Sequence, residues 1–234
     1  MAKTELSISS EIKELGIEEY ARELESNGLT IVPPEVNGFG LERIDRIVEI
    51  ILERAEAMTG AKFTLDDGPL DELEFPKPKL TPEQMQQIEA LGFKDAILKP
   101  TQFLIQKLTQ VDRMFRDLVV NPVSVALQNH MMAGQSRLSS VNCFVKWQGD
   151  FGYGPGLGLH ADQAATPLPW GPVAHSGNST WCLTDYTLDG GALAYVPGTH
   201  KESKPTPPPD RIKDAIPAEA PKERPIRPRM FFGS

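Results

Sequence analysis

Apolar side chains recur at helical spacing along the first part of the chain. The strongest pattern runs from Leu41 to Met58 and places seven apolar residues on one helix face, namely Leu41, Ile44, Ile47, Val48, Ile51, Leu52 and Ala55. A weaker pattern begins at Ser10, a residue type that can cap a helix, and ends at the Asn27-Gly28 pair. A short apolar piece from Leu29 to Val32 follows it.

Proline marks the boundaries of three further predicted helices. Thr81-Pro82-Glu83 opens one of them, because proline is favoured in the first turn of a helix. Two more are predicted from Val111 to Val119 and from Pro122 to Met132. Residues 60–80 are rich in Asp, Pro and Lys and are predicted to be a loop.

After the helical part, the pattern becomes typical of strands. The segment Leu138–Trp147 is rich in β-branched and aromatic residues, and Ser179–Thr187 predicts the next strand. The Asp189-Gly190-Gly191 turn then predicts a hairpin whose returning strand is Ala192–Val196. Helices followed by short strands predict an α+β fold with a β-sandwich or jelly-roll core.

The length of 234 residues allows one sizeable core, and we expect a single domain over 1–234. Its parts are a mainly helical region (1–135), a region of jelly-roll strands (136–200) and a proline-rich, basic tail (201–234). The chain has 21 prolines, and eight of them fall in residues 205–228. They predict many turns and loops.

The formal net charge of −8 is unevenly distributed. Residues 1–100 carry 21 acidic and 11 basic side chains (11 − 21 = −10), whereas residues 201–234 carry 5 and 8 (8 − 5 = +3). An acidic chain is a poor candidate for binding nucleic acid. The apolar stretches are too short to span a membrane, no signal peptide is visible, and two cysteines make no disulfide framework. We therefore expect a cytoplasmic protein.

The most informative local motif is His160-Ala161-Asp162. Residues i and i+2 of a strand point to the same side, so the imidazole and the carboxylate would converge. Such a pair supplies two of the three ligands in the 2-His-1-carboxylate site that holds non-haem Fe(II). The alternative is a surface histidine hydrogen-bonded to a loop carboxylate, because the tripeptide alone is common.

The sequence around this motif resembles the phytanoyl-CoA dioxygenase family of Fe(II)/2-oxoglutarate-dependent oxygenases. The resemblance rests on GLGLHADQ, on NSTWCLTDYTLDGGALAYVPGTHK, and upstream on FRDLVVNPVSVAL and RLSSVNCFVKW. It covers about residues 100–221 well. The combination of segments is specific, whereas no single segment is.

The resemblance implies a double-stranded β-helix, which is a cupin-like jelly-roll barrel, with helices packed outside it. It implies that His160 and Asp162 bind Fe(II), and that Trp181 lies beside the cosubstrate 2-oxoglutarate. Asn142, Lys146 and Trp147 are further candidates, and each of them either contacts 2-oxoglutarate or covers the core. The implied reaction uses O2 to hydroxylate a small organic substrate while 2-oxoglutarate is decarboxylated to succinate.

The remaining histidines are weaker candidates. His200 lies in a PGTH turn that the family does not use as the distal ligand, and His175 lies in a variable loop where it contacts substrate or is solvated. His130 lies at a helix end, where a cation is favoured by the helix dipole. Cys143 and Cys182 are most simply small core residues.

The family pattern also requires a distal histidine and, soon after it, an arginine for the far carboxylate of 2-oxoglutarate. No histidine follows His200, and the segment after AIPAEAPK is not typical of a strand, because Pro225 and Pro228 would interrupt its ladder. We therefore expect an incomplete barrel and a reading frame that is truncated or shifted near Lys222. The alternatives are a non-catalytic jelly-roll fragment or binding domain, and a cupin-like metal isomerase or lyase, for which extra ligands near His160 are not evident.

Overall fold

Seven α-helices and nine short β-strands make up the part of the chain that a computed structural model describes, namely residues 6–73, 79–90, 101–147, 160–171, 173–188, 192–202, 213–218 and 230–233. The helices are α1 (Ser10–Glu14), α2 (Glu18–Asn27), α3 (Pro34–Asn37), α4 (Leu41–Thr59), α5 (Pro82–Ala90), α6 (Arg113–Val119) and α7 (Pro122–Met131). The strands are β1 (Leu29–Val32), β2 (Phe63–Thr64), β3 (Gly68–Pro69), β4 (Gln102–Ile105), β5 (Cys143–Lys146), β6 (Asn178–Trp181), β7 (Ala194–Tyr195), β8 (Ile216–Pro217) and β9 (Met230–Gly233).

Side-chain caps and glycines set the helix ends. Ser9, one residue before the predicted Ser10, caps α1 by accepting a hydrogen bond from the Ile12 amide at 3.2 Å. The single helix predicted from Ser10 to Asn27 is wrong in its continuity, because the chain breaks between α1 and α2 at Gly16, which has a φ of 65°. Helix α2 ends as predicted at Gly28, which has a φ of 84° and so adopts the left-handed conformation that glycine favours. Asn121 caps α7 by accepting from the Ser124 amide at 3.0 Å.

Helix α4 matches its predicted span of Leu41 to Met58 within one residue. Its buried face packs against α6, β4 and the small β2–β3 hairpin, which falls inside the region predicted as loop. Each isoleucine buried there stabilises the fold by about 1.5–3 kcal/mol. The fully or almost fully buried members of this cluster include Ile44, Ile47, Ala55, Ile105, Leu108 and Phe115.

A second cluster joins α1, α2, β1 and α7, with Ile12, Ile17, Val32 and Leu127 at its centre. Trp181 of β6 packs at the edge of both clusters, and its ring meets that of Phe39 edge-on at a centroid distance of 5.2 Å. The helical layer thereby forms the platform on which β6 lies.

The largest sheet in the described residues has the strand order β1-β9-β6, and β9 is antiparallel to both neighbours. The remaining pairs are β2–β3, β4–β5 and β7–β8. Within the described residues the ladders pair β6 with β9 and β7 with β8. The two arms of the predicted hairpin are joined by one backbone hydrogen bond, from the Ala192 amide to the Thr187 carbonyl at 2.9 Å, and its turn, Asp189-Gly190-Gly191, lies outside the described residues. Pro225 and Pro228 also lie outside them, and β9 begins at Met230, beyond both.

The strands are shorter than predicted. Of Leu138–Trp147 only β5 is a strand, and it pairs with the four residues of β4. The strand predicted over Ser179–Thr187 ends at Trp181. The α+β class is confirmed. For this chain, a double-stranded β-helix stays a prediction, since the described residues form one three-stranded sheet and two-stranded pairs.

Candidate metal site

His160 and Asp162 face each other at the surface. The Nε2 atom of His160 lies 3.2 Å from Oδ1 of Asp162, and 59% of the histidine side chain and 35% of the aspartate side chain are exposed. The backbone here differs from the predicted strand, because Asp162 begins a single 3-10 turn, Asp162–Ala165. The two side chains nevertheless converge, as their i, i+2 spacing predicted.

The second carboxylate oxygen of Asp162 has a partner from a different element. Oδ2 accepts a hydrogen bond from Nδ2 of Asn178, the first residue of β6. An ionised carboxylate can only accept hydrogen bonds, so the amide must present its NH2 group to it. Asp162 is therefore held from both sides, by His160 on Oδ1 and by Asn178 on Oδ2.

The donor set partly fits a metal centre. Two adjacent ligands of one metal, bound at about 2.1 Å and at a right angle, lie roughly 3 Å apart, close to the 3.2 Å between the histidine and aspartate donors. An imidazole nitrogen and a carboxylate oxygen also suit Fe(II). Within the described residues, however, no group of three or more His, Cys, Asp or Glu side chains is placed to hold a metal ion. The pair matches two of the three protein ligands that such a site needs, and its binding of a metal stays a prediction.

The loop between the pair and β6 is closed by hydrogen bonds of its own. The side-chain oxygen of Gln163, next to Asp162, accepts from the His175 amide at 2.8 Å and so joins the two ends of the loop. Trp170 is buried in the bend and donates Nε1–H to the Thr166 carbonyl at 2.9 Å. These contacts close the loop on itself, and the Ala174 amide attaches it to the end of α7 by donating to the Met131 carbonyl at 3.2 Å. The side chain of His175 is exposed.

Strand β6 presents two different faces, because successive side chains alternate. Asn178 and Thr180 lie on an exposed face, which is the side of Asp162. Ser179 faces α7, where its Oγ is 2.8 Å from Gln128 Nε2 and 3.1 Å from Ser124 Oγ. Trp181 shares the face of Ser179 and packs on the helices. The structure thus does not bring Trp181 to Asp162, and its contact with 2-oxoglutarate stays a prediction.

Two further candidates lie at β5, Asn142 directly before the strand and Lys146 at its end. Asn142 is exposed and donates to Ser140 Oγ at 3.1 Å, so its contact with 2-oxoglutarate also stays a prediction. Burial lowers the pKa of Lys146. Burial also raises the pKa of the Cys143 thiol to about 11, so this cysteine is protonated at neutral pH and is a poor metal ligand or nucleophile.

His200 and His130 both contact Glu25 near the end of helix α2. His200 Nε2 lies 3.0 Å from the Glu25 carbonyl oxygen near the end of that helix, and the Gly198 amide of the same turn donates to Asn27 at 3.0 Å. His130, on α7, is buried, with Nε2 2.9 Å from Glu25 Oε1. The PGTH turn therefore completes the C-terminus of α2 by occupying carbonyls that the helix leaves open.

Comparison with known proteins places the chain in a family. The family model for phytanoyl-CoA dioxygenase (PhyH) matches residues 48–229, which is more than half of the 234 residues. The chain belongs to the phytanoyl-CoA dioxygenase family. We predicted that the chain departs from the family near Lys222, but the match continues to residue 229.

One curated relative is the dioxygenase af480 of Aspergillus fumigatus (strain ATCC MYA-4609 / CBS 101355 / FGSC A1100 / Af293). It is 31% identical over 123 residues, which are 52% of this chain and 38% of that protein. The chain thus covers well under two thirds of this relative.

None of the helices in the described parts of the chain combines the length and apolar character needed to cross a bilayer.

Proposed function

We propose that the chain carries the Fe(II) site of a 2-oxoglutarate-dependent dioxygenase that acts on a small organic substrate. The observation that carries the proposal is the convergence of His160 Nε2 and Asp162 Oδ1 at 3.2 Å. Membership of the phytanoyl-CoA dioxygenase family over residues 48–229 supports it. The proposal includes the jelly-roll barrel of that family as the scaffold.

In this proposal, His160 and Asp162 are the two protein ligands that the described residues contribute. When bound, the iron would supply O2 activation by oxidative decarboxylation of 2-oxoglutarate. The balance requires one oxygen atom of O2 to enter succinate, with release of CO2, and the other to convert a C–H bond of the substrate into C–OH. The exposure of the pair leaves room for cosubstrate and substrate on the solvent side.

A second candidate is a non-catalytic binding domain. It is favoured by a specific observation, since no third His, Cys, Asp or Glu joins the pair within the residues that are described. Two ligands alone bind Fe(II) weakly, and the chain would then retain a fold of the family without turnover.

Anaerobic titration with Fe(II) and 2-oxoglutarate tests the first candidate. We expect a metal-to-ligand charge-transfer band in the wild-type chain and its loss in His160→Ala. His175→Ala is the matched control, because it removes an exposed histidine of the same loop whose described hydrogen bond is made by its backbone amide. The absence of any band in the wild type would contradict the proposal.

Succinate formation under air separates the two candidates. The dioxygenase proposal predicts that 2-oxoglutarate is converted to succinate at a rate that depends on added Fe(II) and falls to background in Asp162→Ala. A binding domain would give the same background rate with and without iron in both proteins.

A further inference from the structure

Asn178 contacts the proposed ligand pair from a different element of the fold, strand β6. Its Nδ2 donates to Asp162 Oδ2, while Asp162 Oδ1 faces His160 Nε2. We propose that Asn178 is a positioning residue that fixes the orientation of the Asp162 carboxylate for metal binding. This inference rests on the function proposed above.

The geometry separates the two oxygens of Asp162 by role. A carboxylate that binds a metal through one oxygen leaves the other free to accept a hydrogen bond. Asn178 occupies Oδ2 and therefore holds Oδ1 on the side of His160. An amide suits this task because it donates without charge and does not itself compete as strongly as a carboxylate for the metal.

The position of Asn178 is itself well fixed. It begins β6, where it pairs with Gly233 of β9, and its neighbour Ser179 is hydrogen-bonded to Gln128 of α7. Trp181, at the other end of the strand, packs against Phe39. The Asn178 amide therefore connects Asp162, which lies 16 residues earlier in the chain, to the helical core.

The loop between Asp162 and Asn178 also restrains the position of Asp162. Gln163 accepts from the His175 amide and draws the start of the loop toward its end. The Ala174 amide donates to the Met131 carbonyl at 3.2 Å, which attaches the loop to α7. Asn178 thus makes the last of several links that hold Asp162 over one end of the helical layer, before any metal arrives.

Partners of this kind typically change metal affinity by 10- to 100-fold when they are removed. Because Asn178 and Asp162 are exposed and their hydrogen bond competes with water, we expect a value near the lower end, about 10-fold. The loss should appear in the metal dissociation constant and not in the unfolding midpoint of the metal-free chain, since an exposed hydrogen bond contributes little to folding.

The experiment measures binding of Mn(II), as a stand-in for Fe(II), to the whole chain by the electron paramagnetic resonance signal of the free ion. The variants are Asn178→Ala, His160→Ala and the matched control Thr180→Ala, which alters the same exposed face of β6 two residues further on. A further variant, Ser179→Ala, removes the hydrogen bonds that attach β6 to α7 and keeps the Asn178 side chain. Urea unfolding of each metal-free protein accompanies the titrations.

The expected result is that Asn178→Ala weakens Mn(II) binding about 10-fold with an unchanged unfolding midpoint, while Thr180→Ala binds like the wild type. Ser179→Ala is expected to unfold at lower urea and to weaken Mn(II) binding by less than Asn178→Ala does, because it loosens the strand that carries Asn178 but keeps the Asn178 amide. Wild-type affinity in Asn178→Ala, with binding abolished in His160→Ala, would overturn the positioning role and leave the metal site standing. A wild-type chain that binds no Mn(II) would overturn both proposals.

Discussion

The close approach of His200 to Gly28 allows a quantitative test of how strongly the PGTH turn stabilises the end of α2. Gly28 ends α2 with a φ of 84°, and a Cβ atom placed there would lie 2.5 Å from His200 Nδ1 and 2.8 Å from its Cγ. Gly28→Ala therefore has two costs. The left-handed backbone costs about 1 kcal/mol for a residue with a side chain. The imidazole must also move away, which breaks its contact with the Glu25 carbonyl.

Losing that contact costs about 1 kcal/mol, and the lost packing adds a similar amount. We therefore expect Gly28→Ala to lower the free energy of unfolding by about 2–3 kcal/mol. Gly16→Ala is the matched control, because Gly16 also has a positive φ of 65° but no heavy atom within 4 Å of its would-be Cβ. It isolates the backbone cost of about 1 kcal/mol.

Urea unfolding of the single variants and of Gly28→Ala in a His200→Ala background measures both costs. Without the imidazole, the clash is gone, so in that background Gly28→Ala should cost no more than Gly16→Ala. Equal destabilisation by Gly28→Ala and Gly16→Ala in the wild-type background would refute the reasoning. The same reasoning predicts that His200→Ala lowers stability and leaves metal binding unchanged, since His200 serves α2.

Three further perturbations test the core, the thiol and the sheet. Ile47→Ala, at a fully buried site of α4, should lower the free energy of unfolding by about 2–5 kcal/mol, and a loss no larger than that of the half-exposed Leu41→Ala would contradict the core assignment. In a Cys182→Ala background, Cys143 of the folded chain should react with a thiol reagent at pH 8 about 100-fold more slowly than Cys143 of the urea-unfolded chain. The reason is that burial raises the pKa of Cys143 to about 11, so that little thiolate is present until the pH approaches that value. Equal rates for the folded and unfolded chains would contradict the raised pKa. Phe231→Pro should destabilise the fold by about 1–3 kcal/mol more than Phe231→Ala, because residue 231 lies in the central strand of the largest described sheet, and matching unfolding curves would show that β9 does not hold β1 and β6 together.

The helices were predictable because their signals are local. The apolar stripe of α4, the Asn121-Pro122 step before α7 and the glycine after α2 each act within a turn or two of the chain, and the structure places the ends within one or two residues. The cap at Ser9 instead of Ser10 is a shift of this size. Composition and spacing suffice when a residue's conformation depends mainly on its neighbours in sequence.

The strand pairing was not predictable in the same way, because it depends on partners far away in sequence. The Asp189-Gly190-Gly191 turn favours a hairpin, and one backbone hydrogen bond joins Ala192 to Thr187 on either side of it, but the ladders of the described residues pair β6 with β9 and β7 with β8. The prolines at 225 and 228 argued against a strand near the C-terminus, but they precede Met230, where β9 begins. A strand's propensity describes how well it fits a sheet and does not name its neighbours.

The candidate site shows the same difference between local signals and long-range contacts. The spacing of His160 and Asp162 was sufficient to predict that the two side chains meet, even though the backbone between them is not a strand. Asn178 carried no comparable signal, since an asparagine before a strand usually marks only the end of a loop. Its hydrogen bond to Asp162 exists because the 3-10 turn, the folded loop and the anchored start of β6 bring two distant segments together. The meeting of His160 and Asp162 can therefore be predicted from sequence, whereas the contact of Asn178 with Asp162 emerges only from the tertiary arrangement. The metal affinity of Asn178→Ala decides whether that contact orients a metal ligand.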